Sequence, residues 1–291
     1  MATPTVRKLQ LGHELRRLRE AARLTPADAA RALACTTAKI SRLESGENAI
    51  SLGDLKLLLE LYEDGPEHRT WMIELSRDNR RRRRWTGHWA AVPEWFRTFV
   101  DLERDAEDIR IVASEVIPGL LQTEAYMRAL FETGSAIGGP TDVESSIKTR
   151  LERQALLDKD DPPMLSIILS ESCVRRMVGD RALMAEQLEH VATMAGRRRI
   201  QLQLHPFDGE TTVVLKRFIM IRVRTLGGDA LPFAYCEDPD DARYIDDPRA
   251  LRIYESLWGA LQAAALGPGE TRSRLREMAG RLAEGSVDDH G

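Results

Sequence analysis

Residues Thr25 to Gly46, TPADAARALACTTAKISRLESG, read as two short helices joined by a tight turn, and that reading decides the N-terminal fold. Thr25 is placed to cap the first helix, and Pro26 fits its first turn, where no amide hydrogen is needed. Asp28 completes an approximate capping box with Thr25 near the positive end of the helix dipole. Ala29, Ala30 and Leu33 give a small apolar face that lets a neighbouring helix approach closely. Ala34-Cys35-Thr36 turns the chain, with Thr36 or Thr37 as the next cap. In the second helix Ile40 and Leu43 point inward. Thr37, Ala38, Lys39, Ser41 and Arg42 are left on the outward and N-terminal side, and Gly46 stops the helix.

The flanks agree. Leu11, Leu15, Leu18 and Ala22 have the spacing of an amphipathic helix. Ser51 caps a further helix whose Leu52, Leu55, Leu59 and Tyr62 face inward, with Asp54 in its first turn. Taken together, and above all in ISRLESG, these residues resemble the phage-repressor-like (Xre-type) helix-turn-helix family over Leu9 to about Asn79. The resemblance implies a compact five-helix bundle with its fifth helix in Pro66 to Asn79. It implies that Thr36, Thr37, Ala38 and Arg42 touch bases and nearby phosphates. Lys39 and Ser41 are then phosphate or groove-edge contacts, and Asn48 sits in a loop that meets the DNA backbone. It also implies a structural pair between Arg19 and Glu44. In one respect the chain departs from the family, which has glutamine, a phosphate contact, where Pro26 stands. Proline has no donor, so that contact is not carried over.

At 291 residues with 43% hydrophobic residues, the chain has length for two domains and material for a buried core. No apolar run approaches membrane-spanning length. Met1 to Gln10 is polar and basic, unlike a secretory leader, so a cytoplasmic protein, nucleoid-associated when bound to DNA, is expected. Cys35, Cys173 and Cys236 form neither a CxxC pair nor a disulfide framework, as suits reduced cysteines packing as small apolar residues. Charge is divided unevenly. Residues 1 to 84 hold 17 Lys and Arg against 12 Asp and Glu, and the remainder 25 against 34, within an overall −4. Counterion release makes local positive charge drive affinity for DNA, so the basic N-terminal module matters more than the total.

The densest basic feature is Arg80, Arg81, Arg82, Arg83 and Arg84, followed by Trp85 and Trp89. Three readings stay open: contact with DNA phosphates, pairing with acidic residues of the C-terminal part, or a solvated linker. The tryptophans suit packing at the junction better than stacking on bases.

Beyond residue 90 the pattern changes. Helices are expected over Pro93 to Ala106, Gln122 to Phe131, Ser145 to Lys159, Arg181 to Ala195, Pro248 to Leu266 and Gly269 to Ala283. Strands are expected at Val112 to Ile117, Leu165 to Leu169, Ile200 to Leu204, Phe218 to Val223 and Pro232 to Cys236. The interleaving predicts a mixed α/β domain with a small sheet covered by helices. The whole is then α+β: an all-α helix-turn-helix domain (1–79), a basic and aromatic linker (80–92), the α/β domain (93–284) and a disordered tail (285–291).

VIPGLLQTEAYMRAL, RLERQALL and YCEDPDDARYIDDP resemble the C-terminal domain of actinobacterial regulators of the Scr family, antitoxin-like proteins, over about Trp85 to Met278. The resemblance implies a binding role toward a small protein partner encoded nearby, or a part in developmental regulation. Gln122, Thr123, Arg150 and Arg153 are the candidate ligand- or partner-binding residues. Arginines at i and i+3 suit an anionic molecule or an acidic tail. The plainer reading, an internal ion-pair network with Glu115, Glu124 or Glu152, is preferred.

Enzymatic motifs are missing. Glu237, Asp238, Asp240, Asp241, Asp246 and Asp247 lack the regular spacing of a calcium loop. His205 stands alone before Pro206, as a hydrogen-bonded structural residue does. HExxH, Walker A and GxSxG do not occur, so no enzyme, cofactor or metal is expected. The sequence as a whole reads as a regulator that binds a double-stranded DNA operator as a homodimer. A small protein partner or small-molecule effector acts through the C-terminal domain, with no membrane involvement. The alternative is an antitoxin-like protein that neutralises a small partner and autoregulates its own operon.

Overall fold

The computed structural model describes residues 6–78, 92–138, 142–209, 217–224, 230–238 and 241–285. The chain divides into two compact units. The first carries helices α1 (Val6–Ala21), α2 (Pro26–Ala32), α3 (Thr37–Glu44), α4 (Leu52–Leu61) and α5 (Pro66–Asp78). The second carries most of the sheet and its helices; the division falls within α6 (Glu94–Arg104), after Leu102, and residues 224–231 are grouped with the first unit.

The short helices of the first unit start where side chains satisfy their free amides. Thr25 caps α2 in a full capping box: its backbone amide donates to Asp28 Oδ2 at 2.9 Å, and its hydroxyl accepts from the Asp28 amide at 3.3 Å. Thr36 caps α3 and Ser51 caps α4, accepting amides at 3.2 and 3.0 Å. The α2–α3 turn places Ala34 at φ +48°, and the amide of Cys35 returns to the Ala30 carbonyl at 2.9 Å. Leu15, Ala29, Ile40, Leu55, Leu59 and Met72 are almost wholly buried in one cluster. Burial of each leucine or isoleucine there contributes about 1.5–3 kcal/mol, which offsets the weakness of helices as short as α2.

Two glycines set how closely α1 and α3 approach. A Cβ on Gly12 would come within 2.6 Å of the carbonyl oxygens of Leu43 and Glu44. Gly46, at φ +71°, stops α3 with its own Cβ position 2.9 Å from the Leu9 backbone. Only glycine fits either place without displacing backbone.

The second unit is built on β1 (Ala106–Ala113), β2 (Met164–Ser170), β3 (Ile200–His205), β4 (Phe218–Arg224), β5 (Ala230–Glu237) and β6 (Ala242–Ile245), in the order β3-β2-β1-β4-β5-β6. β1, β2 and β3 are parallel; β4 runs antiparallel to β1, and β6 antiparallel to β5. The crossover from β1 to β2 carries α7 (Glu124–Gly138) and α8 (Val143–Gln154). The short α9 (Glu171–Arg175) and α10 (Arg181–Met194) lead to β3, and α11 (Pro248–Ala264) and α12 (Pro268–Ala283) close the fold. α12 packs on α10 and β3. One sheet face buries Val112, Ile168, Phe218, Met220 and Cys236 against Trp258 and Leu261 of α11. Strand alternation puts Arg217, Ile219, Tyr235 and Glu237 on the other.

The architecture expected from the sequence is present, with local differences. β1 ends at Ala113 rather than running over Val112 to Ile117, because its pairing with β2 stops at Ala113 opposite Leu169. The chain instead bends at residues 114–116, before one turn of 3-10 helix at Gly119–Leu121. The helix expected over Ser145 to Lys159 is α8, which gives way to a 3-10 turn at Ala155–Asp158. β6 and α9 were not anticipated: four and five residues are too few to show a period.

Candidate functional site

The two inward residues of α3, Ile40 and Leu43, are 1% and 3% exposed, which fixes the rotation of the helix in the bundle. The opposite side then leaves Thr36, Thr37, Ala38, Ser41 and Arg42 exposed, and Asn48 is exposed in the turn beyond. The Asn48 amide donates to the Arg42 carbonyl at 3.0 Å, so this turn folds back on the end of α3. Lys39 differs from its neighbours. Its Nζ lies 3.0 Å from Asp54 Oδ2, tying α3 to the start of α4, and this bond raises the lysine pKa. Lys39 therefore orients the helix, while Ser41 and Arg42 project from it.

Arg19 and Glu44 pair as the sequence implies. Nε meets Oε1 at 2.6 Å and Nη2 meets Oε2 at 2.9 Å, a two-pronged contact. Both side chains are buried, at 8% and 10% exposure, and the bond to Glu44 raises the arginine pKa further. Arg19 Nη1 also donates to the Leu24 carbonyl at 2.8 Å. One guanidinium thus joins α1, the α1–α2 turn and the end of α3.

Arg80, Arg81, Arg82, Arg83 and Arg84, with Trp85 and Trp89, lie outside the described residues, as does the tail beyond Gly285.

In the second unit the segment 118–123, PGLLQT, is held by three glutamines. Gln122 is 3% exposed; its Nε2 donates to the Ile117 carbonyl at 2.6 Å and its Oε1 accepts from Arg150 at 2.5 Å. Gln154 donates to the carbonyls of Gly119 and Gln122, both at 2.8 Å. The buried Gln187 accepts from the Thr123 amide and donates to the Leu121 carbonyl, both at 2.7 Å. The Thr123 hydroxyl accepts from the Tyr126 amide at 3.3 Å at the start of α7. Sequence reasoning passed over Gln154 and Gln187. Gln154 had a signal, since it sits in the RLERQALL run on α8; Gln187 had none.

Arg153 pairs with Glu103 through two contacts of 2.8 Å, and the glutamate side chain is 3% exposed. An internal ion pair is therefore present, but its acid is Glu103, not Glu115, Glu124 or Glu152. Glu115 is engaged by Arg176 and Glu124 by Arg128. Of the four candidates from the sequence, Gln122 thus joins the 118–123 segment to α8, Thr123 joins it to α10, and Arg153 is matched by Glu103 of α6. Arg150 has a looser setting: it lies over the Phe131 ring at 4.5 Å and makes no ion pair among the described residues. Burial, and the neighbouring charges of Arg153 and Arg217, push its pKa down to about 10.

Comparison with known protein families now bears on both units. Residues 96–277 match the family described as a domain of unknown function, DUF5753. The chain belongs to the DUF5753 family. Ahead of this domain, residues 10–72 match a helix-turn-helix domain, which supports reading the first unit as the DNA-binding part of a regulator. No curated protein and no solved structure matches the chain.

The DUF5753 domain contains the remaining polar features. Asp247 caps α11 and Asp241 shapes the β5–β6 turn, accepting the Ala242 amide at 2.8 Å. Two members of the acidic cluster are thereby accounted for as turn and cap. Among the described residues no group of three His, Cys, Asp or Glu could hold a metal ion. His205 is 3% exposed at the end of β3, and its Nε2 has no hydrogen-bond partner among the described residues. An open cleft of about 750 Å³ beside it is lined by Glu171, Arg175, Phe207, Arg274 and Glu277. Four of its charges pair, Arg175 with Glu171 at 2.6 Å and Arg274 with Glu277 at 3.2 Å, and Asp208 and Glu270 also line it. No described helix is long and apolar enough to cross a membrane.

Proposed function

We propose that this protein is a sequence-specific regulator that binds double-stranded DNA as a homodimer, with α3 as the reading helix. The observation that carries the reading is the division of α3 into a locked inner face and a free outer one. Ile40 and Leu43 are buried, whereas Thr36, Thr37, Ala38, Ser41 and Arg42 stand exposed together. A helix of this width fits the major groove, and short polar side chains at its N-terminal end reach phosphates and base edges there. Arg42 is the residue to form a forked contact with guanine; Thr36, Thr37 and Ser41 suit phosphate oxygens, and Asn48 the backbone beyond. Lys39, held by Asp54, serves by fixing the angle of entry. Two copies would place their α3 helices about 34 Å apart on one side of the duplex.

The C-terminal domain gates this activity through a small protein partner or a ligand. The test is selection of bound genomic fragments by the intact chain at low ionic strength, followed by purification of the native protein with whatever it carries. Enrichment of a two-fold-symmetric site, lost in Arg42→Ala, is the expected result. No enrichment at all would sink the reading. A tightly held small protein without DNA enrichment would favour the antitoxin-like alternative.

A further inference from the structure

We infer that the C-terminal domain binds a small anion, a carboxylate or a phosphate group, on the guanidinium of Arg150. Three arginines gather where α8 meets the sheet face carrying Tyr235, and only two have an acid. Arg153 is matched by Glu103 with both contacts at 2.8 Å, and Arg217 by Glu237 at 3.2 Å. Arg150 lies near enough to feel all four of these charges yet makes no ion pair among the described residues. Its one hydrogen bond among the described residues is to the neutral oxygen of Gln122, which leaves most of its five donors to be met there. A half-buried cation with no acid of its own is unfavourable unless an anion joins it. Burial lowering its pKa marks the same deficit.

The group is also held in place. Gln122 fixes one edge, the Phe131 ring supports the plane at 4.5 Å, and Gly119 packs close to the Nε side, where a Cβ would stand 3.3 Å away. Gln122 is itself anchored on the Ile117 carbonyl, and Gly119 by Gln154. A planar fork whose orientation is set before binding suits two oxygens of a carboxylate or phosphate. Next to it in sequence, Thr149 is 5% exposed, and its hydroxyl has no hydrogen-bond partner among the described residues.

The position in the fold is independent support. The chain winds from β1 through β2 to β3 on one side, then returns to place β4 on the other side of β1. The carboxyl end of β1 therefore meets the amino end of the antiparallel β4, at the point where strand order reverses. Gly119 follows that end of β1, and Arg217 immediately precedes Phe218, which lies opposite Val112 there.

This assignment names a ligand class for the gating described above, but its test uses no DNA, so the two readings fail separately. Full-length protein is titrated with inorganic phosphate, and separately with acetate, at ionic strength held constant with chloride, and followed by calorimetry and melting temperature. One saturable site per chain is expected for at least one anion, and the better anion tells phosphate from carboxylate. Arg150→Gln should weaken it by about tenfold or more, whereas Arg276→Gln, at an exposed position on α12, should leave it unchanged. Arg150→Lys keeps the charge but not the fork, and should also weaken binding; it decides the matter if Arg150→Gln does not fold. Saturable binding of neither anion, or undiminished binding in the folded Arg150 variant, overturns the assignment.

Discussion

The exposed side of α3 and the buried junction at α8 are both polar surfaces on helices, yet they are organised in opposite ways. On α3 the apolar residues fix the helix, and Thr37, Ser41 and Arg42 are left outward with no side-chain hydrogen bond among the described residues. At the α8 junction the polar residues are themselves the fixing elements, with Arg153 and Gln154 of the helix and Gln122 of the facing segment bonded internally. A surface built in the first way recognises something outside the protein. One built in the second way holds the protein together, and only a member left over, as Arg150 is, has capacity for a ligand.

The comparison can be broken most sharply at its buried end. Arg153→Met leaves Glu103 enclosed without its partner, and removing one member of a buried pair costs about 3–5 kcal/mol. Denaturant unfolding of the C-terminal transition measures this loss, and a change near zero would show that Arg153 is solvated. The paired replacement Arg153→Met with Glu103→Leu should recover most of it, because no orphaned charge remains. The exposed end is tested by Arg42→Ala. Loss of about 1–3 kcal/mol in affinity for a selected site is expected, confined to one base position, with the melting temperature unchanged. Equal loss on random duplex would mean that Arg42 contacts phosphate alone.

Thr36→Ala sits between the two cases, because Thr36 both caps α3 and stands at its exposed end. It should cost about 1 kcal/mol of stability in the N-terminal unit, read from thermal unfolding. The smallest effect is expected from pH. The hydrogen bonds from Thr25 hold the Asp28 carboxyl below its ordinary pKa, so its contribution is present above the usual carboxylate range. That contribution fades as pH falls through the lowered folded-state value. Asp28→Asn should flatten this part of the acid-unfolding profile while leaving stability below it unchanged.

How much could be read from the chain follows the same division. The caps Thr25, Thr36 and Ser51, the inward Ile40 and Leu43, and the stop at Gly46 depend on neighbours within a few positions, so the bundle was legible residue by residue. Even the Arg19–Glu44 pair came through family likeness rather than spacing. At α8 the partners lie far off in sequence. Glu103 is 50 positions from Arg153, and Gln187 is 64 from Thr123. The arginines were conspicuous, but nothing local says which acid each will meet. β2 to β5 were visible because β-branched runs stand out, whereas β1 begins six residues earlier than expected and β6 is too short to give a sign. Arg217 and Gln187 acquire their roles only once the strand order is known.

Gly12 has a consequence for signalling. Because backbone meets backbone there, with room for no side chain, α3 cannot roll or tilt on α1 without first separating from it. An effector that altered operator affinity would have no means of adjusting the reading helix by degrees. It would have to reposition the whole five-helix body, or change how two such bodies are spaced, and measured half-site spacing would register that directly.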